Sequence, residues 1–182
     1  MTAVRAASRA EADLVQLCTF RIAGEDYAID IMRVREIINP VEVTRVPRAP
    51  RFVEGVIRLR GEVIPVVDVR KRFGQPAGAP GRKTRYLIVI VAGRRIGLVV
   101  DEVCEVLRLR RGEIRPAPAL VGEGGPRFFL GVCGGDGVAA SGRRGGGSSR
   151  LRLLLNVKAL LDPAQPGEAE AARAQAEASR QA

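Results

Sequence analysis

The feature of this chain that most constrains its fold is an internal repeat. Short segments of the first half recur in the same order in the second half. Ile96 follows Tyr27 by 69 residues, whereas Asn156 follows Asp68 by 88, as expected when loops are inserted between matched elements. Each half is too small for a large core of its own, so the repeat predicts two small β subdomains packed on each other. The matched segments are 27–30 with 96–99, 34–37 with 103–106, 47–50 with 116–118, 52–56 with 128–132, and 66–70 with 154–158.

Composition supports a core made of strands. Hydrophobic residues make up 46% of the 182 residues, but aromatic residues only 4%, and tryptophan is absent. The core must therefore come from Val, Ile and Leu, which favour strands. We expect a flexible N-terminal arm at 1–13, a first barrel at about 14–75, a second barrel at about 82–161 and a disordered polar tail at 162–182. The arm lacks the apolar stretch of a signal peptide, and no apolar run is long enough to span a membrane.

Turn residues locate the elements within each half. Glycines predict hairpins over Gly24 and Gly93 and a third around Arg60-Gly61. Segment 31–38 has helical spacing and predicts a short helix or a bent strand, and 42–46 predicts a short strand. The seven glycines in 134–150 predict a long mobile hairpin loop. Short helices are expected at 68–73 and 157–161.

Catalytic chemistry is poorly represented in the chain. It contains no histidine, which removes the commonest general base and most catalytic zinc sites. Asp30, Asp68 and Asp101 are the acids within apolar runs; a buried pair of them could act in acid–base chemistry, but we interpret them as turn caps or partners of arginine. Asn156 matches Asp68 in the repeat, which favours a structural role. The sequence therefore indicates a binding module rather than an enzyme, without metal or cofactor.

The cysteines and the charge each allow a functional and a structural interpretation. Three cysteines, an odd number without metal-ligand spacing, lie in apolar runs and are interpreted as buried reduced thiols of a cytoplasmic protein: Cys18, Cys104 and Cys133. The formal net charge of +10 is compatible with binding to nucleic acid or an anionic membrane. Because the basic residues are mostly scattered arginines, with local clusters at 108–111 and 143–144, we interpret the excess as compositional.

An ordered set of motifs resembles the CheW-type coupling proteins of bacterial chemosensory systems. The resemblance covers about residues 14–161 as a single CheW-like domain. The middle block carries VP-x-AP, F-x-x-G, LRG and IPV-x-D at fixed spacing, and this combination is highly specific. The segments that carry it are Phe20–Ile37, Thr44–Gly74, Gly93–Leu107 and Ile114–Pro118.

The resemblance implies a mainly β fold of two five-stranded, SH3-like barrels packed on each other, with short helices. It also implies a non-catalytic adaptor that couples the cytoplasmic tip of methyl-accepting chemoreceptors to the regulatory domain of the histidine kinase CheA. Such an adaptor is cytoplasmic, lies beside membrane receptor arrays without inserting into the membrane, and binds no nucleic acid. The alternative function is a basic SH3-like or OB-like nucleic-acid-binding module, which would need exposed aromatic residues for stacking.

Carried over residue by residue, the resemblance places a receptor-binding groove between the subdomains. Arg60 matches the arginine of the N-x-R-G motif and Glu36 the acid of the V-x-E-I motif, while the apolar lining falls on Val34, Val103 and Val106. The residues themselves allow a plainer interpretation, in which Glu36 and Arg60 form a structural ion pair and the valines belong to the core. The chain departs from the family pattern at Arg58, where asparagine is usual, so the groove gains a positive charge.

Overall fold

The computed structural model describes residues 13–76, 78–117, 128–134 and 150–161. The predicted arm, the tail and the interior of the Gly-rich loop therefore lie outside the described residues. Two one-turn α-helices, α1 (Val69–Arg72) and α2 (Val157–Leu160), accompany two 3₁₀ turns at Ile31–Arg33 and Arg111–Glu113. The ten strands are β1 (Leu14–Ile22), β2 (Glu25–Asp30), β3 (Val34–Ile38), β4 (Val53–Leu59), β5 (Glu62–Asp68), β6 (Arg85–Val91), β7 (Arg94–Val100), β8 (Glu102–Arg110), β9 (Phe129–Cys133) and β10 (Arg152–Leu155).

The strands form two five-stranded sheets with related orders. The first sheet runs β8-β1-β2-β10-β9 and the second runs β3-β6-β7-β5-β4. Matching β1–β5 with β6–β10, as the repeat does, converts one order into the other. The predicted repeat and the two five-stranded units are thus visible in the topology.

The predicted boundary between the barrels, at 14–75 and 82–161, is wrong because the two halves exchange strands. Each sheet takes a hairpin from one half and three strands from the other. The exchange occurs because the 3₁₀ turn Ile31–Arg33 carries the chain from β2 in the first sheet to β3 in the second, and Asp101 links β7 to β8 in the opposite direction. Neither half therefore contains a complete barrel.

Each sheet is bridged near its outer edge by a short backbone contact. Thr44 and Val56 exchange two N–H···O bonds of 2.9 and 2.8 Å, and Arg115 and Val132 exchange two of the same lengths. Glycine precedes Val56 and Val132 because the backbones approach too closely for a side chain. A Cβ on Gly131 would lie 2.5 Å from the Arg115 carbonyl oxygen, and a Cβ on Gly55 would overlap that of Thr44. This contact explains the F-x-x-G motif in both halves.

Three apolar clusters hold the two sheets. Alternation along β1 shows how they divide, since Cys18, Phe20 and Ile22 belong to one cluster and Leu17 to another. The largest cluster lies between the sheets and includes side chains of both. The two smaller ones each draw on one sheet and adjoining residues: Ile57, Ile64, Val66, Tyr86, Ile88 and Val99 in the second, and Leu17, Ala28, Cys133 and Leu154 in the first.

The three acids within apolar runs, of which Asp68 is buried, cap turns or pair with arginine, as predicted. Asp68 and Asn156 occupy matching N-cap positions, and each side chain accepts a backbone N–H of the helix that follows. Asp68 also accepts hydrogen bonds from two nitrogens of the Arg70 guanidinium: Nη2 donates to Oδ2 at 2.8 Å, and Nε donates to Oδ1 at 3.1 Å and Oδ2 at 3.3 Å. Arg70 Nη1 bonds Asp101 at 3.1 Å, and Asp30 accepts the Met32 N–H at 2.9 Å. These acids are engaged in structural contacts.

Arg72 lies where the two halves meet. Its guanidinium carbon lies 4.5 Å from the centroid of Phe52 and 5.2 Å from that of Phe128, two phenylalanines that occupy matching positions in the repeat. Its Nε donates a 2.8 Å bond to the carbonyl of Leu160. The side chain is buried, so these contacts join α1 to the end of α2 through the middle of the molecule.

Two local predictions were wrong. The segment 42–46 forms no strand and makes only the Thr44 bridge, because Pro40 and Pro47 on either side lack the N–H that extended pairing needs. Cys104 is exposed, unlike the buried Cys18 and Cys133, because its strand β8 lies at the edge of the sheet. Within the described ranges, no helix is long and apolar enough to cross a membrane.

Candidate functional site

Glu36 and Arg60, which the sequence singled out, form an ion pair. Arg60 Nη2 donates to Glu36 Oε2 at 3.1 Å, with 73% of the Arg60 side chain and 21% of the Glu36 side chain exposed. Glu36 lies on β3 and Arg60 in the β4–β5 turn, so the pair joins the two outermost strands of the second sheet. Exposed pairs of this kind contribute about 0.2–1 kcal/mol to stability. The pair therefore orients Arg60 more than it stabilises the fold.

The backbone at Arg60 adds a second observation. Its φ is +51°, in the left-handed region that glycine or asparagine tolerates best. The following Gly61 also has positive φ, which completes a tight hairpin of the type that the sequence predicted. Ala23 and Ala92 adopt the same conformation in the corresponding turns of the other hairpins. The fold thus tolerates this conformation generally, and at position 60 it places a guanidinium at the tip of the hairpin.

A second glutamate–arginine pair occupies the other sheet. Glu105 on β8 accepts from Arg152 Nη2 at 3.0 Å. Glu105 is the repeat counterpart of Glu36, and both lie on edge strands, β8 and β3. Glu105 was not among the predicted site residues, although the repeat that matches 34–37 with 103–106 would have identified it.

The three predicted groove valines differ in exposure. Val34 and Val103, also repeat counterparts, are partly buried against the cluster between the sheets, as the core interpretation requires. Val34 lies opposite Val89, and Val103 opposite Phe20, on the neighbouring strand. Val106 is 51% exposed and therefore does not belong to the core. The valines thus extend from the rim of the central cluster to solvent along the edge strands.

Ile37 is a further exposed apolar residue and was not among the predicted site residues. It is the counterpart of Val106 in the repeat and is 44% exposed on β3. Apolar side chains at matching edge positions of both sheets are candidates for contact with a partner, because solvation of such side chains is unfavourable. The repeat, which matches Ile37 with Val106, could have identified Ile37 from the sequence.

The aromatic side chains are not available for base stacking. All five phenylalanines and both tyrosines are buried or partly buried in the clusters. Burial raises the pKa of the Tyr27 and Tyr86 hydroxyls above the ordinary value. Single-strand binding surfaces rely on exposed aromatic platforms, so the geometry does not favour the nucleic-acid-binding alternative.

Comparison with known proteins identifies the family. The model of the CheW-like domain matches residues 16–165. The chain belongs to the CheW-like family. It is 32% identical to the chemotaxis protein CheW of Klebsiella aerogenes over 142 residues, 78% of each protein. It is also 30% identical to the protein FrzA of Myxococcus xanthus over 146 residues, which cover 80% of this chain and 84% of FrzA.

A solved structure shows the same fold. The scaffolding protein TtCheW of Thermoanaerobacter tengcongensis superimposes with a TM-score of 0.71 at 30% identity, covering 82% of this CheW-like chain and 94% of that one. The predicted mainly β fold with two five-stranded units is confirmed. The family match and these relatives give no support to a nucleic-acid-binding function.

Proposed function

We propose that this CheW-like protein is a non-catalytic adaptor that couples methyl-accepting chemoreceptors to the histidine kinase CheA. The observation that carries the proposal is the family match over residues 16–165, since relatives of similar length are named chemotaxis proteins and a solved relative is named a scaffolding protein. The receptor contributes its cytoplasmic tip and the kinase its regulatory domain. The adaptor acts in the cytoplasm, beside the receptor array.

The receptor site in this proposal consists of Val34, Glu36, Arg60, Val103 and Val106. The valines supply apolar contact, and Arg60 supplies hydrogen-bond donors at the tip of a hairpin. A guanidinium has five N–H donors, and a single one of those on Arg60 is used by Glu36. The remaining donors can bind carbonyl or carboxylate oxygens of a receptor helix. Glu36 is a positioning residue, because its bond fixes the direction in which Arg60 points.

The mechanism needs neither cofactor nor covalent step. An adaptor alters kinase activity only if its contacts favour one kinase state over another. A two-barrel body held by one central cluster can transmit a receptor displacement as a change in the position of its kinase-binding surface. The coupling free energy then comes from contacts that differ between kinase states.

Co-sedimentation of the full chain tests the proposal. The partners are a receptor signalling-tip fragment and the CheA regulatory domain from the same genome. We expect wild type to form a ternary complex and Arg60→Ala to bind the receptor fragment about tenfold or more weakly, through loss of charge-assisted hydrogen bonds. Arg94→Ala, at an exposed arginine that begins β7, is the matched control. Circular dichroism of all three proteins verifies folding.

Two results would contradict the proposal. Failure of wild type to retain either partner would refute the adaptor role. Binding of duplex DNA with a steep salt dependence, in place of the protein partners, would identify the positive charge as the functional feature. Unchanged receptor binding by Arg60→Ala would refute only the assignment of Arg60.

A further inference from the structure

On the side of the first sheet that also carries the buried Cys18, one end of β1 and β8 exposes apolar and basic side chains. The β1–β8 register pairs Leu14 with Arg110, Gln16 with Arg108, and Cys18 with Val106. Directly paired residues of antiparallel strands project from the same side of a sheet. Leu14 (44%) and Val106 (51%) are largely exposed, as are both arginines. We call the side chains of Leu14, Gln16, Val106, Arg108 and Arg110 the β8 face.

The β8 face continues the candidate receptor site. Val106 belongs to both, and Val103 lies three residues earlier on the same strand. The 3₁₀ turn Ile31–Arg33 packs against β1. This turn exposes Met32, which at 84% is the most exposed large apolar residue of the described ranges. The same turn leads directly into Val34. Basic residues of β8 therefore border the apolar residues of the candidate receptor site.

The two arginines of the β8 face are not neutralised by neighbouring carboxylates. Neither Arg108 nor Arg110 forms an ion pair within residues 13–76, 78–117, 128–134 and 150–161. Glu105 binds Arg152, and the Glu113 carboxylate accepts the backbone N–H of Arg110 at 2.5 Å without an ion pair to its guanidinium. By contrast, Glu102 at the opposite end of β8 pairs with both Arg21 and Lys83. Positive charge is thus concentrated at one end of the strand.

We propose that Arg108 and Arg110 select receptors whose tip helix carries two carboxylates one helical turn apart. This inference rests on the proposed adaptor function and specifies the partner of the same site. Residues two apart on one face of a strand are separated by about 6.6–6.8 Å. Residues four apart on a helix are separated by about 6 Å along its axis. A helix that lies along β8, with its apolar side on Val106 and Leu14, can therefore place Asp or Glu at i and i+4 against the two guanidinium groups.

A protein helix fits this face better than nucleic acid does. The arginines adjoin the exposed aliphatic side chains of Leu14 and Val106, which gain little from contact with phosphates but become buried against an apolar helix surface. Complementary charges at the rim of an apolar contact mainly set partner choice and association rate. The β8 face thus has the character of a specificity element.

The test is a double charge reversal, Arg108→Glu with Arg110→Glu, in the full chain. The probe is the receptor-tip fragment, with affinity measured at low and moderate salt. We expect about tenfold weaker binding at low salt, since two exposed attractive pairs become repulsive, and a smaller salt dependence than that of wild type. The control is Arg82→Glu with Arg94→Glu, which makes the same change in net charge at exposed arginines outside the β8 face.

A compensating change in the receptor makes the test specific. Each pair of fragment carboxylates at i and i+4 is changed to lysine in turn, and one such fragment should bind the doubly reversed protein better than the unmodified fragment does. If wild type binds the fragment but the reversal leaves affinity and salt dependence unchanged, or if no lysine pair restores binding, this inference is wrong and the adaptor function stands. If the reversal abolishes duplex DNA binding and leaves receptor binding intact, the β8 face is a polyanion surface. If wild type does not bind the fragment at all, the adaptor function itself fails, and the inference with it.

Discussion

Replacement of Gly55 by alanine should open the edge of the second sheet. A Cβ at this position would overlap the carbonyl oxygen of Thr44, with the carbonyl carbon and a Val43 methyl close behind. The obstacle is backbone, which cannot rotate away as a long side chain can. Position 55 also has φ of +147°, which L-residues rarely adopt. Relief of the overlap therefore requires the Thr44–Val56 bridge, with its two hydrogen bonds, to separate.

The expected loss of stability is about 4 kcal/mol. Overpacking typically costs about 1–3 kcal/mol, a strained backbone conformation about 1–3 kcal/mol, and each lost hydrogen bond about 1 kcal/mol. These contributions overlap because the bridge breaks to relieve the other two. At Gly131 the same contact exists without positive φ, so Gly131→Ala should cost about 2–3 kcal/mol.

Equilibrium urea unfolding of three variants tests this reasoning. Gly112→Ala is the control, since its added methyl would meet open space and its φ is not positive; we expect a change within about 0.5 kcal/mol. The predicted order of destabilisation is Gly55→Ala, then Gly131→Ala, then Gly112→Ala. Equal unfolding midpoints for Gly55→Ala and Gly112→Ala would show that the close approach of the two backbones does not limit this position.

Three further predictions concern Arg72 and the three cysteines. Arg72→Met should lower the free energy of unfolding by about 3 kcal/mol, because it removes the contacts with the Phe52 and Phe128 rings and the hydrogen bond to the Leu160 carbonyl. The control Arg94→Met should leave the urea midpoint unchanged. Burial raises the pKa of the Cys18 and Cys133 thiols above the unfolded-state value. The stability that these thiols contribute is therefore complete below about pH 8.5 and is lost as pH rises through the folded-state pKa. A urea midpoint that stays constant to pH 10 would contradict this. A thiol reagent should modify one cysteine per native chain, Cys104, and three in urea.

The sequence predicted the repeat, its elements and its caps, but not the exchange of strands. Repeated segments such as 34–37 and 103–106 are local patterns, and a pattern in sequence does not say which copy a strand pairs with. Pairing depended on the turn Ile31–Arg33, where Asp30 caps a single 3₁₀ turn and redirects the chain to the other sheet. The sequence predicts a boundary between residues 75 and 82 because consecutive elements usually pair with one another.

Sequence motifs predicted the charged pair of the candidate site, but not which of its apolar residues are exposed. The Glu36–Arg60 pair followed from motifs with fixed spacing, and the structure brings the two side chains into contact. Exposure did not follow from residue type, since Val103 and Val106 look alike in sequence. Val103 packs against the central cluster, whereas Val106 projects to solvent after an irregularity in the β1–β8 register between Cys18 and Phe20. Irregularities of this kind have no reliable sequence signal.

The exchange of strands has a consequence for how an adaptor could work. Relative rotation of the two barrels would have to disrupt the cluster that lies between the sheets. It would also disturb the hydrogen bonds of Asp101, whose carboxylate accepts from Arg70 at 3.1 Å and from the Ala23 N–H at 2.6 Å. These bonds join the β7–β8 link to α1 and to the β1–β2 turn. A chain with one barrel per half would be connected by a single linker and could hinge there, but this chain crosses between its sheets in both directions. A receptor bound at the edge strands would therefore move the whole body, and the response of the kinase would arise at the adaptor's surfaces rather than within it.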